Sequence, residues 1–290
     1  MIEDVRGRID YHEQGTGPVI VLLPGSCSTG AAWRPVIAAW NGQFRCVTTS
    51  LLGYGGTAER RTGSDRSMDR EAEVVEAVIR KAGGNVHLVG HSFGGMVALA
   101  VALRGRAALA SLTVIEAPIG EFLGEVGEDR HYDAFQRMRN AYFAAYEAGD
   151  PEAIAIMFDF YSGAGAFASL PRQVRDYAVA TTPVNIMDWQ SAYASGLSMA
   201  ALAAVDIPVL VLRGGASHPA MQCANALLFR AMGNVALATV DGAAHFMLAT
   251  HAREVAGFIA RHARGVETSP AALAHPARRE RQSPDRAAAS

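Results

Sequence analysis

A strand-like segment, a tight turn and a helix-like segment follow one another around Ser92. Residues 86–95 read Val-His-Leu-Val-Gly-His-Ser-Phe-Gly-Gly, and an apolar run continues from Met96 to Leu103. A turn this sharp strains the backbone of its central residue, and glycines two residues before and after Ser92 leave room for it. The sequence therefore predicts a serine hydroxyl held clear of the backbone beside a helix N-terminus, which is the geometry that a nucleophile needs.

Aliphatic segments typical of buried strands alternate along the chain with helical patterns. The run Val19–Leu23 shows no polar alternation, which indicates a strand covered on both faces, as in a parallel sheet. Further segments predicted to be strands lie at 45–50, 86–89, 112–115, 209–212 and 235–240. This alternation predicts an α/β fold with a mostly parallel, doubly wound sheet and helices on both faces. Residues 1–119 and 201–263 are expected to form this core.

Residues 120–200 interrupt the alternation, since strand-like runs disappear there and helical patterns dominate. Thirteen of the Phe, Trp and Tyr residues of the chain fall in this block. An insertion at this point is expected to lie over the C-terminal edge of the sheet, where open α/β sheets bind ligands. We expect an inserted helical cap whose aromatic side chains form a small core of their own and also cover an apolar substrate pocket.

Composition and charge exclude several classes of function. Half of the 290 residues are hydrophobic, which is enough to bury a large core. The formal net charge of −2 argues against an electrostatic nucleic-acid binder. Three widely spaced cysteines and an N-terminus without an apolar segment indicate a soluble, cytoplasmic protein with no membrane span. We expect a monomer or a homodimer. Residues 264–290, rich in Ala, Pro, Arg and Ser, are expected to be disordered.

His245 is the best placed of the nine histidines to activate the Ser92 hydroxyl. A serine hydroxyl is a poor nucleophile at neutral pH and needs a base within hydrogen-bond reach. His245 follows the last predicted strand in a Gly-Ala-Ala-His loop, from which an imidazole can reach the C-terminal edge of the sheet. His91 adjoins the serine but is expected to point away from its hydroxyl. No pair of histidines has the spacing of metal ligands, so we expect no metal. Attack by an activated serine needs no cofactor, so we expect none.

Two backbone N–H groups are candidates for stabilising the oxyanion that forms when a serine attacks a carbonyl carbon. One belongs to Phe93, at the start of the helix that follows the serine. The other belongs to Ser26, in the small-residue loop after the first long strand, and the N–H of Cys27 is the alternative. The Cys27 thiol is expected to line the substrate pocket, and Tyr142 and Trp189 are the cap residues expected to contact the small-molecule substrate.

These features together resemble the α/β-hydrolase superfamily over about residues 15–262. The resemblance is carried by Pro24-Gly25-Ser26 with Trp33, the turn at 53–57, Gly-His-Ser-Phe-Gly at 90–94 and Gly-Ala-Ala-His at 242–245. It implies that superfamily's fold and a site made of a serine, a histidine and an acid. Many members have His-Gly where this chain has Pro24-Gly25, a change that leaves the backbone donor in place.

The position of the acid departs from the usual pattern of that superfamily. The acid usually follows the strand assigned here to residues 209–212, but this chain reads Gly-Gly-Ala-Ser-His there. Some members place the acid after the strand that follows the serine helix, and that position is Glu116 here. The rival is Asp241, which lies only four residues before His245 and is expected to shape its loop. The resemblance thus implies Ser92, His245 and Glu116 as catalytic residues, with Asp241 as the other candidate acid.

The sequence favours a hydrolase that cleaves an ester-type bond in a small, largely apolar substrate through an acyl-enzyme. Superfamily members with similar Ser/His pairs carry out C–C bond cleavage, cyanohydrin lysis or cofactor-free oxygenation, so these reactions are alternatives. The aspartate nucleophile of epoxide hydrolases and haloalkane dehalogenases is excluded, because Ser92 stands at the apex of the turn. A binding protein that retains the pocket without turnover is the third hypothesis.

Overall fold

Strands and helices alternate through most of the chain. The computed structural model describes residues 1–4, 7–62 and 64–267. The strands are β1 (Ile2–Asp4), β2 (Gly7–Ile9), β3 (His12–Gln14), β4 (Val19–Leu23), β5 (Arg45–Thr48), β6 (Val86–His91), β7 (Leu109–Ile115), β8 (Val209–Gly214) and β9 (Val235–Val240). The helices are α1 (Arg34–Ala39), α2 (Met68–Ala82), α3 (Phe93–Arg104), α4 (Glu121–Glu125), α5 (Asp129–Glu147), α6 (Ile154–Ser162), α7 (Ala166–Ser169), α8 (Arg172–Ala180), α9 (Thr182–Tyr193), α10 (Met199–Leu202), α11 (Pro219–Ala231), α12 (Met247–Thr250) and α13 (Ala252–Glu267).

Seven strands form the central sheet, in the order β3-β5-β4-β6-β7-β8-β9. Within this sheet β3 pairs antiparallel with β5, whereas the other described neighbours are parallel. Strands β1 and β2 pair separately as an antiparallel hairpin. The predicted α/β fold with a mostly parallel sheet is therefore confirmed. Because parallel strands end at one edge, the segments that follow β4, β6, β7 and β9 meet there.

Strand β4 shows why continuous aliphatic segments occur in this sequence. Val21 and Leu23 pack into a core with residues of α2, α3 and α11 on one face of the sheet. Ile20 and Leu22 pack into a second core with residues of α1 and α13 on the other face. All four side chains are fully buried, and burial of such a side chain stabilises a fold by about 1.5–3 kcal/mol. Helices on both faces thus require apolar residues at successive positions.

Helix α2 follows the periodicity of its sequence. Val74 and Val78, one turn apart, are fully buried in the core of the sheet. The helix stops at Gly83, whose φ of 101° lies in the left-handed region that glycine adopts without strain. The Gly83 N–H donates to the Arg80 carbonyl oxygen. This stop lets the chain turn directly into β6, the strand that leads to Ser92.

The insert between β7 and β8 is helical throughout. Residues 116–208, all of which the structure describes, contain helices α4–α10 and no strand. We call helices α4–α9 the cap. Its core is formed by aromatic and aliphatic side chains that include Phe135, Tyr142 and Phe158. Cys27 and Met221, from outside the cap, pack into the same cluster, so the cap core is continuous with the C-terminal edge of the sheet.

Helix α13 extends beyond the predicted end of the folded core. It runs from Ala252 to Glu267, so the prediction of disorder is wrong for residues 264–267. The rest of that predicted segment, 268–290, lies outside the described residues. Within the described ranges, no helix is both long enough and apolar enough to span a bilayer.

Candidate active site

Ser92 stands between β6 and α3 in a conformation that few residues other than glycine adopt. Its φ is 55° and its ψ is −127°. The flanking glycines allow this strained turn because they let neighbouring segments approach closely. A Cβ on Gly90 would lie 2.1 Å from the Gly94 carbonyl oxygen, and a Cβ on Gly94 would lie 2.3 Å from the Pro24 carbonyl oxygen. Side chains at either position would therefore force the turn apart.

The structure brings Ser92, His245 and Glu116 together at the C-terminal edge of the sheet. Ser92 Oγ lies 3.0 Å from His245 Nε2, and His245 Nδ1 lies 3.3 Å from Glu116 Oε2. A carboxylate only accepts hydrogen bonds, so Nδ1 carries the proton when His245 is neutral. That tautomer leaves Nε2 available to accept the Ser92 proton. The three side chains thus have the geometry of a nucleophile, a base and an orienting acid.

Glu116 is held beside the imidazole by the neighbouring strand. Its side chain is fully buried, and its Oε1 accepts a hydrogen bond of 2.8 Å from the Gly214 N–H at the end of β8. Its φ of 50° is uncommon for a residue other than glycine, and its N–H donates to the Leu212 carbonyl oxygen. Glu116 thus follows β7 in the sequence, but its carboxylate lies against the end of β8. In most members of the superfamily the acid is in the loop after the strand that corresponds to β8.

Asp241, the rival acid, lies in the turn after β9 and is exposed. The ring nitrogens of His245 bond instead to Ser92 and to the buried Glu116. The geometry therefore favours Glu116 over Asp241.

His91 points away from the Ser92 hydroxyl and supports the His245 loop. Its Nε2 lies 2.8 Å from the His245 carbonyl oxygen, and since a carbonyl only accepts, Nε2 carries a proton. Burial and the neighbouring His245 lower the pKa of His91 to about 3, so its ring is neutral near physiological pH. His91 is thus a fixed donor that holds the backbone of the residue whose side chain faces Ser92.

The loop after β4 lies directly against Ser92. A Cβ on Gly25 would lie 2.9 Å from the Ser92 Cβ, so the loop approaches this closely only with glycine. Ser26, the next residue, lines a cavity together with Ser92 and Phe93. Phe93 is the first residue of α3, where backbone N–H groups have no acceptor within the helix. The amides predicted to form an oxyanion hole therefore belong to residues that border Ser92 in this cavity.

The cavity has a volume of about 820 Å³ and lies between the sheet edge and the cap. Ser92 and His245 form part of its floor. The cap contributes several aromatic rings to its wall, namely Phe135, Phe158, Tyr161, Trp189 and Tyr193. A cavity of this size and composition suits a small to medium, largely apolar ligand.

Two of the three residues predicted to contact substrate line this cavity, and one does not. Trp189 and Cys27 are in its wall. Burial raises the pKa of the Cys27 thiol to about 12, so the thiol stays neutral and acts as an apolar group. Tyr142 lies behind the wall in the cap core, where it is fully buried and its hydroxyl donates to Asn185 Oδ1 at 2.8 Å. A buried hydroxyl needs a hydrogen-bond partner, and Asn185 provides it. Asn185, and not Tyr142, lines the cavity.

Aromatic rings cover the imidazole of His245 on two sides. The Tyr161 ring, from α6, stacks on it with ring centroids 4.6 Å apart and 20° between the planes. The Phe246 ring meets it edge-on, with centroids 5.5 Å apart. These rings shield the His245 imidazole from water and restrict its rotation.

Comparison with known protein families identifies the family of this chain. A model of the alpha/beta hydrolase family matches residues 20–258, a range that includes Ser92, Glu116 and His245. The chain belongs to the alpha/beta hydrolase family. The resemblance noted in the sequence and the fold that it implied are thereby confirmed.

This chain spans about a third of the length of one curated relative described next and about two fifths of the other. Haloalkane dehalogenase 2 from Mycobacterium tuberculosis is 36% identical over 99 residues, which is 34% of this chain and 34% of that protein. A pimeloyl-[acyl-carrier protein] methyl ester esterase from Aliivibrio salmonicida is 32% identical over 118 residues, or 40% of this chain and 42% of that protein. A thermophilic esterase from Thermogutta terrifontis, whose structure is known, is 21% identical to this chain. The two structures align over 90% of this chain and 94% of the esterase with a TM-score of 0.68, which shows a shared fold.

A buried ion pair lies beside the cavity, and the sequence alone does not predict it. Asp188 Oδ1 accepts a hydrogen bond of 2.7 Å from Arg61 Nη1, and both side chains are buried. Burial raises the pKa of Asp188, and the charge of Arg61 opposes that rise. The two residues are 127 positions apart, so only the fold brings them together. In the sequence, the one feature that points to this ion pair is that Asp188 is an acid in a helical stretch, directly before Trp189.

Glu71 places a second buried carboxyl group next to Arg61. Its Oε1 lies 3.5 Å from Arg61 Nη1, and burial raises its pKa from 4.5 to about 8. An acid whose pKa is higher in the folded than in the unfolded chain lowers stability as pH rises between the two values. We therefore expect the free energy of unfolding to fall between about pH 5 and pH 8, and Glu71→Gln to flatten this slope. Urea titrations across that range measure both slopes.

Glu73→Gln, on the same helix and partly exposed, is the matched control for Glu71→Gln and is expected to keep the wild-type slope. Equal slopes in wild type and Glu71→Gln would contradict the assignment of a proton to Glu71 at neutral pH.

Three potential metal ligands lie close together outside the cavity. Glu128, His131 and Cys223 have ligand atoms within 4.8 Å of one another, where α5 contacts α11. Spacing along the sequence does not reveal this group, because Cys223 comes from a different helix. Glu128 is exposed and none of the three lines the cavity, so the group is separate from the candidate active site.

Proposed function

We propose that this alpha/beta hydrolase cleaves an ester-type bond through an acyl-enzyme on Ser92. The observation that carries the proposal is the chain of contacts from Ser92 Oγ to His245, at 3.0 Å, and from His245 to Glu116, at 3.3 Å. A hydroxyl paired with a base that is itself oriented by a carboxylate is an activated nucleophile. Although a haloalkane dehalogenase is among the relatives, a serine rather than an aspartate stands at the apex of the turn.

In the first half of the proposed reaction, His245 Nε2 takes the Ser92 proton as Oγ attacks the carbonyl carbon. The former carbonyl oxygen becomes an oxyanion, which accepts hydrogen bonds from the N–H groups of Ser26 and Phe93. Collapse of the intermediate breaks the bond to the leaving alcohol, and the alcohol oxygen takes the proton from His245. Glu116 stabilises the imidazolium that exists between these two proton transfers.

In the second half, a water molecule attacks the acyl carbon while His245 Nε2 takes its proton. The second intermediate collapses, the carboxylic acid leaves, and the proton returns to Ser92 Oγ. One ester and one water become one acid and one alcohol, and these steps require neither a cofactor nor a metal.

The substrate class follows from the cavity. A volume of about 820 Å³ with a wall rich in aromatic side chains favours an ester whose acyl group is small to medium and largely apolar. Trp189 and Tyr161 are placed to contact that group, since both line the cavity. The ester substrate named for the Aliivibrio salmonicida relative supports the ester-type bond.

A panel of esters, thioesters and lactones tests the proposed function. We expect turnover of p-nitrophenyl esters, with kcat/KM higher for butyrate and hexanoate than for acetate because the longer chains bury more apolar surface in the cavity. Release of p-nitrophenol is followed at 25 °C with folded protein, and buffer alone gives the background.

Two results would contradict this proposal. Cleavage of C–C or cyanohydrin substrates without turnover of esters would indicate the lyase-type chemistry of the same fold. A compound that raises Tm without being turned over, in a protein inactive on the whole panel, would indicate a binding protein.

A further inference from the structure

Asp188 lies where the cap meets the loop that carries one of the proposed oxyanion donors. It belongs to α9, and its side chain is buried. Its Oδ2 accepts a hydrogen bond of 2.6 Å from the Ser26 hydroxyl and another of 2.6 Å from the Tyr54 hydroxyl. A single carboxylate oxygen of the cap thus bonds to two loops of the sheet-bearing core, one after β4 and one after β5.

The bond to Ser26 constrains a short segment of unusual backbone. Ser26 lies between Gly25, which touches Ser92, and Cys27, whose φ of 55° is in the left-handed region. Backbone in that region persists in residues other than glycine only where the surroundings hold it. A short hydrogen bond from Ser26 Oγ to a buried carboxylate fixes the side chain, and with it the peptide group that carries the Ser26 N–H.

Arg61 makes Asp188 a rigid acceptor. The fully buried Arg61 guanidinium occupies Oδ1 through its bond of 2.7 Å, so Oδ2 is left for the two hydroxyls. Arg61 is itself held by Glu59, at 2.7 Å. Hydrogen bonds to an ionised acceptor are about twice as strong as bonds between neutral groups. The Ser26 hydroxyl is therefore bonded to a charged group that has little freedom to move.

We propose that Asp188 is a positioning residue that holds the Ser26 N–H in the oxyanion hole by way of the Ser26 hydroxyl. The inference rests on the proposed function, because it assigns that N–H to the oxyanion. Asp188 precedes Trp189, which lines the cavity, on the same helix. One cap helix thus contacts the substrate pocket and also sets a donor of the reaction, which couples the cap to the chemistry.

Substitution of Ser26 separates this role from a direct contact with substrate. Ser26→Ala keeps the backbone N–H and removes only the hydroxyl, whereas Ser26→Thr keeps the hydroxyl. We expect Ser26→Ala to lower kcat by about 10- to 100-fold with KM within about twofold of wild type, because the donor stays but is no longer held in place. Ser26→Thr is expected to recover most of this loss. Asp188→Asn is expected to lower kcat similarly, and the double variant to be no slower than the slower single variant.

A second readout needs no substrate of the enzyme. The rate at which a fluorophosphonate reacts with Ser92 also depends on the oxyanion donors, so this rate should fall in Ser26→Ala and recover in Ser26→Thr. Ser198→Ala removes a hydroxyl at the start of α10 that accepts from the Ala201 N–H at 3.1 Å, and it is expected to lower Tm without changing either rate.

The outcomes separate this inference from the proposed function. If wild type is labelled at Ser92 and turns over esters, but Ser26→Ala has the wild-type kcat, this inference alone is wrong. A change of KM without a change of kcat, or losses that add up in the double variant, also overturns it. If the fluorophosphonate does not label Ser92 in wild type and wild type does not turn over esters, the proposed function and this inference are both wrong. If Asp188→Asn does not fold, the comparison of Ser26→Ala with Ser26→Thr decides.

Discussion

Replacing Ser92 with alanine is expected to lower kcat on the best ester of the panel by about 10⁴- to 10⁶-fold. The substitution removes Oγ, the atom that bonds to the acyl carbon in the proposed mechanism, and leaves His245 Nε2 without the proton donor that lies 3.0 Å away. Loss of the nucleophile from a serine-histidine-acid site costs rates of this order, and the residual rate comes from binding and oxyanion stabilisation. Initial rates with folded protein, checked by circular dichroism, measure the effect.

Ser169→Ala is the matched control for Ser92→Ala. Ser169 is exposed on α7, and its hydroxyl donates to the Ala166 carbonyl oxygen. This variant is expected to keep the wild-type kcat. If Ser92→Ala also kept it, another group would be the nucleophile and the proposed mechanism would be wrong.

Replacing Glu116 with glutamine is expected to lower kcat by about 10³- to 10⁴-fold with a small change in KM. The carbonyl oxygen of the new side chain can still accept from the Gly214 N–H, which turns its NH₂ group toward His245 Nδ1. Because an NH₂ group only donates, the imidazole adopts the tautomer with its proton on Nε2, which cannot take the Ser92 proton. Steady-state kinetics of the variant separate kcat from KM.

Asp241→Asn is the control that decides which acid orients the histidine. Asp241 is exposed, so this substitution is expected to change kcat by less than about twofold. A large loss of kcat in Asp241→Asn, together with an unchanged kcat in Glu116→Gln, would show that the assignment of Glu116 is wrong.

The sequence predicts much of the fold and of the candidate site because the signals are local. Ser92, Glu116 and His245 each come directly after a strand or in the short loop that follows it, so the parallel sheet alone brings them to one edge. Gly90 and Gly94 mark the turn of Ser92, since any side chain there meets backbone atoms. Continuous aliphatic runs mark strands that are covered on both faces.

The remaining features depend on contacts that no local pattern encodes. Asp188 meets Ser26 and Arg61 across separations of 162 and 127 positions, and in the sequence it is one acid in a helical stretch. Tyr142 is an aromatic residue of the kind expected in a pocket wall. Its position on α5, however, directs its side chain into the cap core. The His91 ring bonds to the His245 carbonyl oxygen, a backbone contact that residue types alone do not predict.

Labelling with a fluorophosphonate, followed by intact-mass measurement and peptide mapping, tests the central claim most directly, because the reagent bonds to an activated serine Oγ. The geometry around Ser92 predicts one adduct per folded chain, on the peptide that contains Ser92, and none at that position in Ser92→Ala. Slower labelling is expected in Glu116→Gln. Folded protein in which Ser92 stays unlabelled, or in which a different serine carries the adduct, would contradict the account.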